Sequence, residues 1–490
     1  VLLEQHHSLT SLQQRLSSDD QPGRNRVLTI SPNSLADLCR HWKLSSSYLP
    51  RLVTLLHQIL KVNVVVDGNV PLEWTWQEEA EEFVQHYRQR NQATTTPAAN
   101  SLIKPTPIPP PSTAIDSTRT MYYLPDGTTP IVSYDPTVSS FSSSTLSSQG
   151  SLSLLDPYAV PTQIPLLSGS CPALVCLIEK SMPTLVPHLS STPSPMTRMG
   201  LALWQDGSSW DHWAIMPCHD KKLEASRKDF FMVPVNTHQQ PPRPAVDLVL
   251  TTMELVQLME EYWQTLSSSS TTTTTFVEYL ESIPPAKTWS PDNANWSIQE
   301  LRQHIQQHAV VFWTSHDPST QSSPCKSESD RIAFHSGGHA DYIFRHAAKE
   351  LFGHVIAHVT WTPTSTSTLS SSSSSSMNGT STTNGATTTS TTATIKSLRL
   401  ANLQKKQQSY QAILYRNIMD GSYTTTAMQH EGENNQQQEP VLRFAMVRGM
   451  QTMQRALKEL NASSHGYWDY VEAMACPHGC VNGGGSVRTT

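Results

Sequence analysis

Met216-Pro217-Cys218-His219-Asp220-Lys221-Lys222-Leu223-Glu224 and Met474-Ala475-Cys476-Pro477-His478-Gly479-Cys480, the second running into Asn482-Gly483-Gly484-Gly485, are the stretches on which the fold of this chain turns. Cys171, in Ser170-Cys171-Pro172, completes a set of four thiols with Cys218, Cys476 and Cys480. A soft, electron-rich thiolate cage suits zinc or an iron-sulfur cluster, and either would require the thiols to lose their protons. Taken alone, the Cys476/Cys480 pair fits buried thiols, a zinc half-site or chance equally well. The glycine run would let backbone approach a ligand closely, and a helix starting there would turn free N–H groups toward an anionic cluster. Pro217 fixes the chain ahead of Cys218, while Lys221 either returns positive charge to such a site or is a solvent-facing lysine beside Lys222.

Composition narrows the function classes. The chain has 490 residues, but 34 prolines and long Ser/Thr runs mean that much of it builds no core. Its net charge is -6 and no Lys/Arg block stands out, so nucleic acid is not an expected partner. Seven cysteines are too sparse for a disulfide framework, and no apolar run reaches the roughly 18 residues needed to span a bilayer. A soluble protein of a reducing compartment is expected, without membrane association. The first residues, Val1-Leu2-Leu3, carry neither an initiator Met nor a signal pattern, and the chain reads as a fragment at both ends.

Strand-turn-helix units recur along it. Val27 to Ile30 is a short apolar run ending at Ser31-Pro32, after which Ser34 could cap a helix carrying Leu35, Leu38 and Cys39. Val62 to Val66 precedes an amphipathic helix from Trp76 to Arg90, with Ala80, Phe83, Val84 and Tyr87 on one side. Asp247 to Leu250 and Val441 to Met446 each lead into a further helix, the first with Leu255, Leu258, Met259 and Tyr262, the second with Met450, Met453 and Leu457. Such alternation predicts parallel α/β packing. Segments 99–160, 266–275 and 363–395 are Pro- or Ser/Thr-rich and are expected to be disordered insertions in a single domain spanning 1–490.

An MPC with Lys and Glu following, and a CxxxC running into GGG, resemble the signatures of the iron-only hydrogenase large subunit, and more narrowly of its NARF-like branch. Ser31-Pro32, Leu189-Ser190-Ser191-Thr192 with Ser194-Pro195, and Ser336-Gly337-Gly338 ahead of Ile343-Phe344-Arg345-His346-Ala347-Ala348-Lys349-Glu350 recur in family order. The resemblance implies two lobes of mostly parallel sheet with flanking helices and a 4Fe-4S cluster in the cleft, bound by Cys171, Cys218, Cys476 and Cys480. It further implies a non-catalytic role in cytosolic and nuclear iron-sulfur protein assembly, in company with other assembly proteins and recipient apoproteins. Relatives usually carry a further cysteine group upstream, whereas only Cys39 precedes Cys171 here.

Ser170 separates that branch from the hydrogenases. Hydrogenases typically show TSCCP, whose first cysteine passes protons to the catalytic iron. Here the order is Gly169-Ser170-Cys171-Pro172, and a hydroxyl shuttles protons poorly at neutral pH, so no hydrogenase activity is expected. The retained MPC motif with Lys221 and Glu224 keeps a diiron enzyme as the alternative, Lys221 matching a residue beside the hydrogenase diiron unit and Glu179 one in its outer proton relay; structural zinc in an interaction module, resting on the thiolate set, is another. Glu224 also matches a relay position but reads as a helix-surface glutamate. Cys39 and Cys176 read as buried filler, Cys325 as a loop residue, and His335 and His339 as flanking a structural glycine turn rather than a second metal site.

Overall fold

A computed structural model describes residues 8–17, 25–95, 122–123, 130–131, 164–204, 210–232, 242–268, 275–286, 288–289, 310–311, 337–364, 409–425, 438–462, 467–477 and 479–487. Two sheets dominate. The first runs in the order Thr288–Trp289, Val310–Val311, Val64–Asp67, Asn25–Ile30, Trp210–Met216, Leu248–Thr251, with every neighbouring pair parallel. The second runs Thr362–Pro363, Ser409–Asn417, Gln438–Arg448, Tyr470–Met474, Leu166–Leu167, antiparallel over its first two pairings and parallel over its last two. The chain is thus α/β with two lobes, as expected. The valine run of Val64–Asp67 is buried at every position because helices cover both faces of the first sheet.

On one face of that sheet lie helices Pro32–His41, Leu49–Leu60, Thr252–Ser268 and Phe276–Ser282, which bury Leu35, Leu38, Leu52, Leu55, Leu255 and Leu280. Pro195–Leu203 covers the other face, together with the start of a long helix, Asn69–Thr95, through Val70 and Trp74. The same long helix then delivers Ala80, Phe83, Val84 and Tyr87 to the second sheet, beside helix His339–Phe352. Helices Pro172–Ser181 and Met450–Ala462 close the second sheet's opposite face with Leu174, Ile178, Met453 and Leu457. Among the described residues no helix is long and apolar enough to cross a membrane.

Several local expectations change. Helix Pro32–His41 is capped by Ser31, whose side chain accepts from the Ser34 N–H; Ser34 itself is buried in the first turn. Pro32 at the start makes Ser31 the better cap, since proline is tolerated only where a helix N–H needs no intrahelical partner. Of segment 266–275, residues 266–268 still belong to helix Thr252–Ser268, residues 269–274 lie outside the described residues, and Thr275 opens the next helix in a capping box with Glu278. Segment 99–160 lies outside the described residues apart from the backbone pairing of Tyr122–Tyr123 with Pro130–Ile131, and so does 363–395 beyond Thr364.

His212, in the middle of the first sheet, is 2 % exposed and held neutral. Its Nδ1–H donates to the Ala245 carbonyl at 3.3 Å, leaving Nε2 to accept from the Thr29 hydroxyl at 2.9 Å. Burial pushes its pKa down from 6.5 to about 4. The unfolded chain therefore binds the proton first on acidification, and stability falls as pH drops through the window from about 6.5 to about 4. By pH 4 this one ring is expected to cost about 3 kcal/mol. The loss should be absent in His212→Gln, so the gap between wild-type and variant urea midpoints should change across that window; parallel pH profiles for the two proteins would refute it.

Candidate metal centre

The four thiols arrive at carboxyl ends of parallel strands, where α/β sheets leave their crevices. Strand Leu166–Leu167 leads to Cys171, which is buried and sits in extended conformation before helix Pro172–Ser181. Strand Trp210–Met216 leads to Cys218, ahead of helix Asp220–Ala225. Strand Tyr470–Met474 leads to Cys476, and Cys480 opens the short turn Cys480–Asn482 with its Sγ 3.9 Å from Met474 Sδ.

The structure brings these sulfurs within electrostatic reach of one another. Cys480 feels Cys218, Cys171 and Cys476; Cys476 feels Cys171; Cys218 feels Cys476. Burial raises all four thiols, Cys218 to about 12 and Cys476 to about 11, so a bare thiolate set is disfavoured. Backbone N–H groups nevertheless point at sulfur: Ala475 and Leu174 at Cys171, Lys221 at Cys218, Gly484 at Cys476. Lys221 adds its charge at Cys171, Cys218 and Cys480. Among the described residues no three His, Cys, Asp or Glu side chains are gathered tightly enough to hold one ion.

The glycine run does not open a helix. It admits another piece of backbone. A Cβ on Gly483 would stand 2.1 Å from the Pro217 carbonyl oxygen, and one on Gly485 2.6 Å from Thr251. The Gly485 N–H donates to that same Pro217 oxygen at 2.9 Å and the Met253 N–H to Gly485 O at 2.9 Å, which straps the Cys480 turn onto the Cys218 turn.

Glu224 is buried rather than on a helix surface. Its carboxylate accepts from the Ser194 hydroxyl, from Thr197 Oγ1 at 2.6 Å and from Lys221 Nζ at 2.7 Å, enough partners to offset burial of its charge. Lys221 is accordingly held inside and not in solvent, while Lys222 pairs with Glu254 at 2.6 Å. Glu179 forms a two-pronged pair with Arg227 at 2.9 and 2.7 Å near the surface. Cys39 is buried in the first core and Cys176 half-buried; Cys325 and His335 lie outside the described residues.

A cavity of about 110 Å³ adjoins the thiols, with Cys480, Lys221, Ser170, His339, Asn33 and Trp76 in its wall. Gly337 and Gly338, at φ +93° and +73°, occupy the left-handed region that favours glycine and deliver helix His339–Phe352 to that wall. His339 is buried, with Nε2 3.1 Å from Ser170 Oγ and Nδ1 2.8 Å from Glu79 Oε2. Tyr470 donates its hydroxyl to Glu79 Oε1 at 2.9 Å. Burial opposes a charge on His339, but the Glu79 carboxylate outweighs it and the ring's pKa rises.

Glu79 and Tyr470 escaped notice in the sequence, although Glu79 stands in helical register with the buried Phe83 and Tyr87, where a carboxylate needs a partner. Arg448 escaped too. It is 2 % exposed at the end of Gln438–Arg448, lies 5.7 Å from the Tyr410 ring centre and feels the charge of Cys480.

Comparison with known proteins agrees with this architecture. The chain is 26% identical over 337 residues to a Drosophila grimshawi protein named "Probable cytosolic Fe-S cluster assembly factor", covering 67% of this chain and 48% of that one. It is 29% identical over 335 residues to cytosolic iron-sulfur assembly component 3 of Bos taurus, covering 66% and 47%. The chain thus spans about half the length of the curated relatives it matches. In three dimensions it is similar to an FeFe-hydrogenase of Chlamydomonas reinhardtii, with a TM-score of 0.51, 16% identity and 98% and 85% of the two chains covered. The family model described as "Iron only hydrogenase large subunit, C-terminal domain" matches residues 151–284 and 368–484, just over half of the chain. By that match, and by a fold whose two sheets meet the family's signatures at their strand ends, the chain belongs to the family formed by the C-terminal domain of the iron-only hydrogenase large subunit.

Proposed function

We propose that this chain is a non-catalytic iron-sulfur protein that holds a 4Fe-4S cluster through Cys171, Cys218, Cys476 and Cys480 and serves cytosolic and nuclear iron-sulfur protein assembly. The observation that carries it is the meeting at strand ends of four thiols from three distant stretches of sequence, with backbone N–H donors at sulfur and the Lys221 charge within reach. Such donors stabilise sulfur once iron displaces the protons. The relatives' names supply the assembly role, and other assembly proteins and recipient apoproteins are its partners.

A diiron enzyme is the second reading, favoured by the cavity beside Cys480 and by Lys221 in its wall. Ser170 argues against it, because the group where hydrogenases keep a proton-passing thiol is here a hydroxyl. Anaerobic reconstitution should give about four irons per chain and a broad visible absorbance, both lost when all four cysteines become serine. Iron content unchanged by that replacement would end the proposal. Infrared bands of iron-bound CO and cyanide after exposure to cofactor-maturation proteins would move the assignment to the diiron reading.

A further inference from the structure

We infer that Ser170, His339 and Glu79 form a nucleophilic triad opening on the cavity, able to take an acyl or phosphoryl group from a small, uncharged ester. This reactivity is separate from the non-catalytic role proposed for the cluster and does not depend on it.

The hydrogen bonds fix the roles. Glu79 is 1 % exposed and, as an acceptor, takes the His339 Nδ1–H at 2.8 Å and the Tyr470 hydroxyl at 2.9 Å. With Nδ1 carrying the proton, Nε2 presents its lone pair to Ser170 Oγ 3.1 Å away, which is the nucleophile–base–carboxylate order of serine hydrolases recognised by geometry on unrelated folds. His339 is 2 % exposed and its ring is fixed from both nitrogens, whereas Ser170 is only half-buried and lines the cavity. The wall is mostly apolar, with Pro32, Pro71, Leu72, Met196 and Met216, and the volume of about 110 Å³ restricts the substrate to a short acyl or dialkyl phosphoryl group. Lys221 stands in the same wall, with its ammonium paired to Glu224 at 2.7 Å.

In the first step Ser170 Oγ bonds to the carbonyl carbon or phosphorus as its proton passes to His339 Nε2. The bond to the leaving group breaks, and His339 returns the proton to that group. Glu79 is the positioning residue that holds the ring while it is charged. For an acyl group, water then gives a proton to Nε2, its oxygen bonds to the acyl carbon and Ser170 leaves as the hydroxyl. Neither step needs a redox partner.

Dimethyl fluorophosphate tests the first step on the full chain, because Oγ–P formation is matched by loss of fluoride and the adduct stays. The adduct is expected on the peptide that carries Ser170, absent in Ser170→Ala, and formed roughly a hundredfold or more slowly in His339→Gln. Mapping the site in wild-type protein requires no variant to fold. No adduct, an adduct on another residue, or a wild-type rate in folded His339→Gln would each overturn the triad. None of these outcomes bears on iron content, so the failure of this inference and the failure of cluster binding remain distinguishable.

Discussion

Gly483→Ala is expected to cost the protein most of its reconstituted iron. The backbone at this position, φ -56° and ψ 151°, suits any residue, so the demand for glycine is purely one of space. The obstacle is the Pro217 carbonyl oxygen at 2.1 Å and the Cys218 Cβ at 3.2 Å, neither of which is the end of a flexible side chain. Relief requires moving the strap off the Met216-Pro217-Cys218 turn, at about 3 kcal/mol, a factor of roughly a hundred in its docking equilibrium. Since the strap carries Cys480, two halves of the thiol set would separate while both cores stay intact. Iron per chain should drop far more than the thermal midpoint, with faster hydrogen exchange across residues 479–487. Gly484→Ala is the matched control: its nearest contact would be His219 Cδ2 at an ordinary 3.8 Å, and it should retain its iron. Equal iron in the two variants would show that the strap does not close the site.

Glu79→Ala is expected to be the most destabilising single change at the base of the cavity. It strands two buried donors, His339 Nδ1–H and the Tyr470 hydroxyl, and breaks a pair in which the histidine is 3 % and the glutamate 1 % exposed by side chain. Losses of this type come to about 4 kcal/mol. Glu79→Gln keeps the volume and one acceptor oxygen and should lose roughly half as much. Urea midpoints read the difference; Ala and Gln variants of equal stability would mean that neither donor depends on the carboxylate.

What the sequence made legible was what short-range pattern encodes. The apolar run Val27–Ile30, the run Val62–Val66 from Val64 onward, and the helical stripe of Ala80, Phe83, Val84 and Tyr87 lie buried in their expected elements. The cysteine signatures also indicated a common destination, because thiols at three separate strand ends converge only if the sheets are parallel there. Partner choice was not legible. Nothing near Glu224 indicates that Ser194 and Thr197 lie within reach of its carboxylate, and nothing near His339 points to Ser170 or Glu79. Gly483 shows the same limit: a glycine run announces a close approach, but the approaching group, Pro217, comes from the turn after strand Trp210–Met216 of the other sheet.

Helix Asn69–Thr95 anchors Val70 and Trp74 in one core and Phe83 and Tyr87 in the other. A rod shared in this way makes the two halves thermodynamically inseparable, since neither can melt without exposing apolar surface that the other's helix turns also need covered. Relative motion of the lobes must bend this continuous element as well as loosen the Gly485–Pro217 strap. A binding event that widened the crevice would therefore work against the stiffness of that backbone, leaving the thiol-bearing loops as the softer route for exchange with the outside.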